Sequence, residues 1–211
     1  MTTADRLDIT LGDAIFSLRA IRRIKPDPIP DVDLHSILDA ARQAPNGANR
    51  QPWHFIVLRD ANARMRFGEI YRVAWWAKRN DEGFFKPDDI PDRYKLAMGL
   101  ADNIGEVPAI ILVCTTSPGG RESVIPATQN LLLAARALGI GGTITSLHAT
   151  VEDDVKELLG LPDGAGVVYC VPLGYPQGKL RARHPESAGR DSVGGSMGDG
   201  SRLGVRWAGT C

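Results

Sequence analysis

The spacing of short, β-branched apolar runs limits most strongly what this chain can fold into. His54-Phe55-Ile56-Val57-Leu58 and the runs at 109–114 and 167–173 each read as a strand, nearly continuous in apolar character. Gly141-Gly142 leads into Thr143-Ile144-Thr145, a fourth short candidate. Helical stretches lie between them, so the class is α/β or α+β, with helices packed on a small sheet. At 211 residues the chain has room for one domain with a full-sized core, or at most two small ones. No internal repeat is visible.

Leu11, Ala14, Ile15, Leu18 and Ile21 recur at helical spacing and predict a helix over 10–22. Pro26, Pro28 and Pro30 then impose an extended path. Asp31 is the expected N-cap of a second helix that buries Leu34, Ile37, Leu38 and Ala41 and ends near Pro45-Asn46-Gly47. Residues 61 to 100 read as helical but irregular, around Trp75-Trp76 and the patch at 81–87. A Gly/Pro loop at 117–120 precedes a long apolar helix over 125–138, closed by Gly139. A short charged helix covers 151–159. Residues 1–186 are expected to form a single domain. From Ser187 the composition shifts to a Gly/Ser-rich tail over 187–211, where Trp207 is the one residue suited to a core.

Basic and acidic side chains number 25 each, so the formal net charge is zero. That balance argues against a nucleic-acid or acidic-membrane partner, which needs a surplus of Lys and Arg. Cys114, Cys170 and Cys211 are too few and scattered for a disulfide framework. The first two sit in apolar runs and read as buried, inert thiols, suited to a reducing cytoplasm. The N-terminus is polar, and no apolar run approaches the ~20 residues of a membrane-spanning helix. A cytoplasmic location is expected. His35, His54, His148 and His184 show no ligand spacing, and no metal site is expected.

Two basic clusters stand out: Arg19, Arg22 and Arg23 at the end of the first helix, and Lys179, Arg181 and Arg183 just after the last strand. The guanidinium fork matches phosphate oxygens, so convergence of the two would make a monophosphate site; each alone also reads as a solvated surface run. Between the second helix and the first strand, Asn46, Asn49 and Gln51 carry amides that donate and accept, and Gly47 permits close approach of backbone to a ligand. That inventory suits the alternating edge of a flavin pyrimidine ring, and equally an ordinary helix-to-strand turn. Gly139-Ile140-Gly141-Gly142 follows a helix rather than a strand, which argues against a dinucleotide-binding domain.

Four segments, in order, resemble the nitroreductase family. Arg19-Ala20-Ile21-Arg22-Arg23-Ile24-Lys25-Pro26-Asp27-Pro28-Ile29-Pro30 is similar to its arginine-rich segment followed by proline. Ala44-Pro45-Asn46-Gly47-Ala48-Asn49-Arg50-Gln51-Pro52-Trp53 is similar to its APSxxNxQPW signature, which a strand follows. Residues 129–141 resemble its central helix, and Leu173-Gly174-Tyr175-Pro176 resembles the end of its last strand. The resemblance implies an α+β, three-layer fold: a small central, mostly antiparallel sheet flanked by helices. It also implies FMN as cofactor and a homodimer with the flavin at the subunit interface. Arg19, Ala20, Arg22 and Arg23 would then contact the phosphate and pyrimidine ring, with Pro45, Asn46, Gly47 and Asn49 against the ring. Backbone N–H groups of Thr145, Ser146 and Leu147 would come near flavin N5, His148 would lie close by, and Arg181 and Arg183 would return to the phosphate. The chain departs from the pattern at Leu18-Arg19-Ala20, where many members carry two arginines and a serine. Asn46 replaces the usual serine, and the Gly/Ser-rich tail replaces a hydrophobic-acidic ending.

In such chemistry the flavin carries the electrons, so no dedicated catalytic side chain is expected. Arg22 or Arg23 is the expected cation near N1/O2. Substrate choice is expected from the segment between the first two strands, where Trp75, Trp76, Phe84 and Phe85 form an aromatic lid or pack the core or the dimer interface, with Tyr71 and Arg72 as further lid candidates. Adjacent helical residues point about 100° apart, so Trp75 and Trp76 cannot both face one ligand. The reading is an oxidoreductase passing electrons from NAD(P)H through FMN to a small aromatic acceptor such as a nitroaromatic or quinone. A flavin-dependent dehalogenase or dehydrogenase of a specific metabolite, and a non-catalytic flavin-binding protein, are the alternatives.

Overall fold

The structure, a computed structural model, describes residues 2–115 and 119–178. Four strands make one sheet: β1 (Trp53–Leu58), β2 (Ala109–Thr115), β3 (Gly141–Gly142) and β4 (Gly166–Gly174). Their order is β1-β2-β4-β3, with every neighbouring pair antiparallel. The helices are α1 (Thr3–Arg6), α2 (Leu11–Ser17), α3 (Asp31–Arg42), α4 (Ala61–Asp81), α5 (Asp92–Asn103), α6 (Arg121–Ala137) and α7 (Glu152–Leu159).

Side chains alternate across a strand, and β2 shows what that means here. Ala109, Ile111 and Val113 join a core with Ile37 of α3 and Leu131 of α6. Ile110, Leu112 and Cys114 point the other way, into a core with Phe67 of α4, Leu100 of α5 and Val155 of α7. The result is three layers, α3/α6, sheet and α4/α5/α7. With both faces covered, the central strands read as continuous apolar runs even though they pair antiparallel. Ile37, Phe67, Ile110, Ile111 and Leu131 have no exposed surface, and burying each such side chain is worth roughly 1.5–3 kcal/mol.

The first expected helix is shorter than its periodicity predicts. α2 ends at Ser17, where Leu18 turns extended (φ −63°, ψ 130°). Of its apolar residues only Ala14 is buried; Leu11, Ile15 and Phe16 are 71%, 49% and 62% exposed. Asp31 is not an N-cap but the first helical residue: Pro30 caps α3 without a side-chain bond, and Asp31 pairs with Arg59 instead. The irregular stretch resolves into two helices. Gly83 (φ +86°) ends α4 by letting the N–H groups of Gly83 and Phe84 close on the carbonyls of Asn80 and Arg79. Gly139 (φ +73°) ends α6 in the same way, as expected, but α6 begins at Arg121 and carries Pro126 inside it. None of the described helices is long and apolar enough to cross a membrane.

Candidate cofactor-binding site

The arginine segment does not end a helix. After Leu18 it runs extended along the outer edge of the sheet, as a partial fifth strand. Ala20 bridges Gly142, and the Ile21 N–H donates to the Gly142 carbonyl at 2.8 Å. Further on, the Lys25 N–H donates to the Tyr175 carbonyl at 2.7 Å and the Gln177 N–H to the Arg23 carbonyl at 3.0 Å. Glycines make this close approach possible. A methyl on Gly141 would meet Ile21 at 2.7 Å, one on Gly142 would meet Leu173 at 2.6 Å, and one on Gly174 would overlap Ile24. Gly141 and Gly142, with Gly174, are therefore the bed on which the segment carrying the arginines lies. Arg19, Ala20 and Arg23 are exposed on this edge, and Arg22 is half-buried.

Arg22 reaches a cleft of about 180 Å³ between α4, α5 and the stretch at 143–146. Tyr71 and Trp75, both buried in the second core, form its wall. Thr145 is pinned there: its N–H donates to the Cys170 carbonyl at 2.9 Å, and its hydroxyl lies 2.6 Å from the Tyr71 hydroxyl. Burial pushes the Tyr71 pKa up to about 12, with the Thr145 hydrogen bond acting against it, so the phenol stays neutral. The Thr145 N–H is consequently not free for a ligand, which corrects its expected role. The N–H groups of Ser146 and Leu147 meet no acceptor among the described residues and are left to serve one. Arg22 and Arg23 also share a second cleft, of about 330 Å³, with Lys95, Asn103 and Gln177.

The loop at 45–53 is strained. Ala48 (φ +52°), Asn49 (φ +51°) and Gln51 (φ +47°) all sit in the left-handed region, whereas Gly47 does not. Asn46 holds this shape, because its Oδ1 accepts from the Gln51 N–H at 2.8 Å. The Gln51 amide in turn donates to Asn49 Oδ1 at 3.2 Å. So Asn46 serves the loop first. Pro45, Gly47 and Asn49 are exposed, and a methyl on Gly47 would meet nothing within 4 Å.

The loop and the arginines occupy opposite corners of the sheet. The loop enters β1 at Trp53, beside Thr115, while the arginines lie along β3 at the far edge, level with Leu173. Four strand spacings and six residues of rise separate these corners by roughly 28 Å. One chain does not bring the two segments onto one ligand.

Trp76 is half-buried, edge-on to Trp75 at 5.0 Å, and Phe84 packs on the second core; Phe85 is exposed. Tyr71 and Trp75 are thus walls built into the core rather than a lid above it. His148 lies beside Ser146 and Leu147 in a cleft facing α7. Its Nε2 is 2.7 Å from Asp81 at the end of α4, and its Nδ1 is 3.1 Å from the Thr150 hydroxyl. Arg181 and Arg183 lie outside the described residues. Sequence reasoning missed Arg79 and Tyr94, which line the Tyr71 cleft. Arg79 is 5% exposed with its guanidinium 4.3 Å over the Tyr94 ring. Only its i+3 partner Glu82 hinted at it.

Comparison with known proteins gives consistent matches. A family model described as "Nitroreductase family" matches residues 15–175. A protein of Archaeoglobus fulgidus with the provisional name NADH dehydrogenase/NAD(P)H nitroreductase is 34% identical over 166 residues, 77% of this chain and 83% of that relative. An iodotyrosine deiodinase of Thermotoga neapolitana is 30% identical over 176 residues, 79% of this chain and 88% of the relative. Among solved structures, an iodotyrosine deiodinase bound to FMN and 3-iodo-L-tyrosine superposes with a TM-score of 0.67 at 24% identity, covering 83% of this chain and 94% of the other. An FMN-dependent nitroreductase of Clostridium difficile R20291 gives 0.65 at 21% identity, covering 84% and 96%. These structures share the α+β fold.

Proposed function

The chain belongs to the nitroreductase family, and from that premise we propose that it is an FMN-dependent oxidoreductase, working as a homodimer, that passes electrons from NAD(P)H to a small aromatic acceptor. The observation that carries this reading is the Arg22 cleft: two segments far apart in sequence, 19–23 and 143–146, line one space beside two spare N–H donors. The residues fit the cofactor. Arg23 is exposed and would offer its guanidinium fork to a phosphate, and Arg22, half-buried at the cleft, would supply a cation near the pyrimidine edge. Ser146 and Leu147 offer backbone donors that need no rearrangement, since Thr145 is tied to β4 immediately before them. Bound there, FMN would supply the two-electron chemistry. Tyr71 and Trp75 keep water from one side of the space and present flat apolar surface to an aromatic ligand.

Completion by a second copy is part of the proposal. The strained loop at 45–53 lies at the opposite corner of the sheet from the arginines, so its exposed Gly47 and Asn49 would meet the flavin of the partner. The exposed apolar residues of α2, and an open apolar groove of about 720 Å³ between α1, α3 and α6, support such pairing. A second reading, a reductive dehalogenase, is favoured by the 30% identity to the Thermotoga deiodinase.

The test is the visible spectrum of the purified protein after incubation with FMN and desalting, then anaerobic addition of NADH and of NADPH. Retained flavin bands that bleach with either nucleotide are expected. A protein that takes up no flavin refutes the proposal, and one that bleaches only with dithionite moves the reading to the dehalogenase.

A further inference from the structure

We propose that His148 is a positioning residue: by latching onto Asp81 it holds the spare N–H donors of Ser146 and Leu147 in place against α4. The inference rests on the flavin reading above for what those donors serve, but not for the latch itself.

The dipeptide 146–147 is where the chain between β3 and α7 lacks backbone support. Thr145, just before it, exchanges two hydrogen bonds with Cys170 of β4, at 2.9 and 2.8 Å, and its side chain meets the Tyr71 hydroxyl. After His148 the chain closes a turn: the Val151 N–H donates to the His148 carbonyl at 3.2 Å, and Val151 is buried. Ser146 is exposed, Leu147 rests against the second core, and neither N–H meets an acceptor among the described residues. Whatever holds the far end of this dipeptide sets where its donors stand.

His148 holds that end through both ring nitrogens. Nδ1 faces the Thr150 N–H at 3.4 Å and the Thr150 hydroxyl at 3.1 Å. A backbone N–H can only donate, so Nδ1 accepts and the donated proton sits on Nε2. Nε2 gives it to Asp81 Oδ2 at 2.7 Å, a bond to a carboxylate that joins positions 67 residues apart. Asp81 is the last residue of α4, and Tyr71, the other anchor, lies nearly three turns earlier, about 15 Å along the axis. Between the two anchors the same helix carries Trp75 and Arg79, which line the Arg22 cleft. One helix, packed into the second core through Phe67, Tyr71 and Ala74, thus fixes the cleft wall and both ends of the donor pair. An exposed pair within one helix adds little; this one ties together two segments that share no backbone hydrogen bond among the described residues.

The two halves of the imidazole can be replaced separately. His148→Gln keeps a donor where Nε2 stands, whereas His148→Asn keeps an acceptor where Nδ1 stands but falls short of Asp81. Deuterium exchange over 143–151 is followed in the protein without flavin, and dissociation constants are measured for FMN and for riboflavin, which lacks the phosphate. His148→Asn and Asp81→Ala should each speed exchange in this stretch about three- to fivefold at an unchanged thermal midpoint, and the double variant no further. His148→Gln should stay within about twofold of wild type. The two latch variants should weaken FMN and riboflavin by the same factor, about threefold, because the donors serve the ring and not the phosphate. A merely structural role would lower the midpoint, speed exchange throughout the chain and show no rescue by glutamine. The reverse ranking, with His148→Gln harmful and His148→Asn harmless, makes the residue a turn cap and overturns the proposal. Unchanged exchange in Asp81→Ala overturns it as well, and that exposed position decides the matter if the His148 variants do not fold. Faster exchange with unchanged flavin affinities overturns the positioning role and leaves FMN binding standing. If wild type takes up no flavin the enzyme reading falls, while faster exchange in Asp81→Ala still supports the latch and unchanged exchange refutes it.

Discussion

At Tyr71 a hydroxyl lies 2.6 Å from Thr145 Oγ1 in a wall that is 4% exposed, and burial holds its pKa near 12. Tyr71→Phe leaves the Thr145 hydroxyl without its partner and should cost about 1 kcal/mol at pH 8, read as a shift in the urea midpoint. The pH dependence has a definite sign. Below pH 10 the tyrosine is neutral in both states and the hydrogen bond contributes in full. Between pH 10 and about 12 the unfolded chain ionises first, so wild type loses up to roughly 2–3 kcal/mol over that window. The phenylalanine variant has no such loss, and the gap between the two must narrow as pH rises; a constant gap would show that Tyr71 is not buried as described. A second residue-scale expectation concerns Ala48, held at φ +52°. An alanine there strains the backbone by about 1 kcal/mol, so Ala48→Gly should leave the thermal midpoint unchanged or raise it, against the loss that the same change causes in a helix. A clear drop in midpoint would contradict the left-handed assignment.

The extended arginine segment depends on elements that carry no charge at all. Gly142→Ala places a methyl 2.6 Å from Leu173 and 2.7 Å from the Pro172 carbonyl, and backbone cannot give way cheaply. Overpacking of this kind costs about 1–3 kcal/mol. The expected outcome is a lower thermal midpoint and faster tryptic cleavage after Arg22 and Arg23, while Gly47→Ala, with open space around it, changes neither. Equal behaviour of the two variants would refute the account of the glycine bed. The same elements show what was legible in the sequence. β2 and β4 could be read because burial on both faces leaves continuous apolar runs, and the end of α6 because glycine is the residue that adopts φ +73° at least cost. The path of residues 18–25 could not be read, because Leu18 and Ile21 continue a helical period by chance, while Leu18 packs on the first core and Ile21 lies against β3. Nor does apolar spacing reveal that Leu11, Ile15 and Phe16 face outward. Within the candidate site, Arg22, Tyr71, Trp75 and Ser146 came from motifs and composition. Arg79 did not, since nothing in the sequence shows that α5 brings Tyr94 over it.

At the scale of the whole molecule the sheet separates what the family resemblance joins. Arg22 and the loop around Asn49 lie at opposite corners, roughly 28 Å apart by strand spacing and rise, which is why the proposed flavin site takes them from two chains. A twofold dimer in which one chain's loop faces its partner's arginines meets this requirement, because the symmetry repeats that pairing and makes two equivalent sites. The consequence can be measured without a structure of the assembly. Arg22→Ala and Asn49→Ala should each reduce retained FMN when studied alone. If the site is shared, mixing the two variants under conditions that exchange subunits produces heterodimers with one site lacking both side chains and one site intact. Statistical pairing then restores about a quarter of the wild-type flavin per chain. If one chain supplied both residues, every site in the mixture would still lack one of them, and no flavin would return. Retained absorbance before and after mixing therefore separates a composite site from a self-contained one, and it does so whatever the acceptor turns out to be.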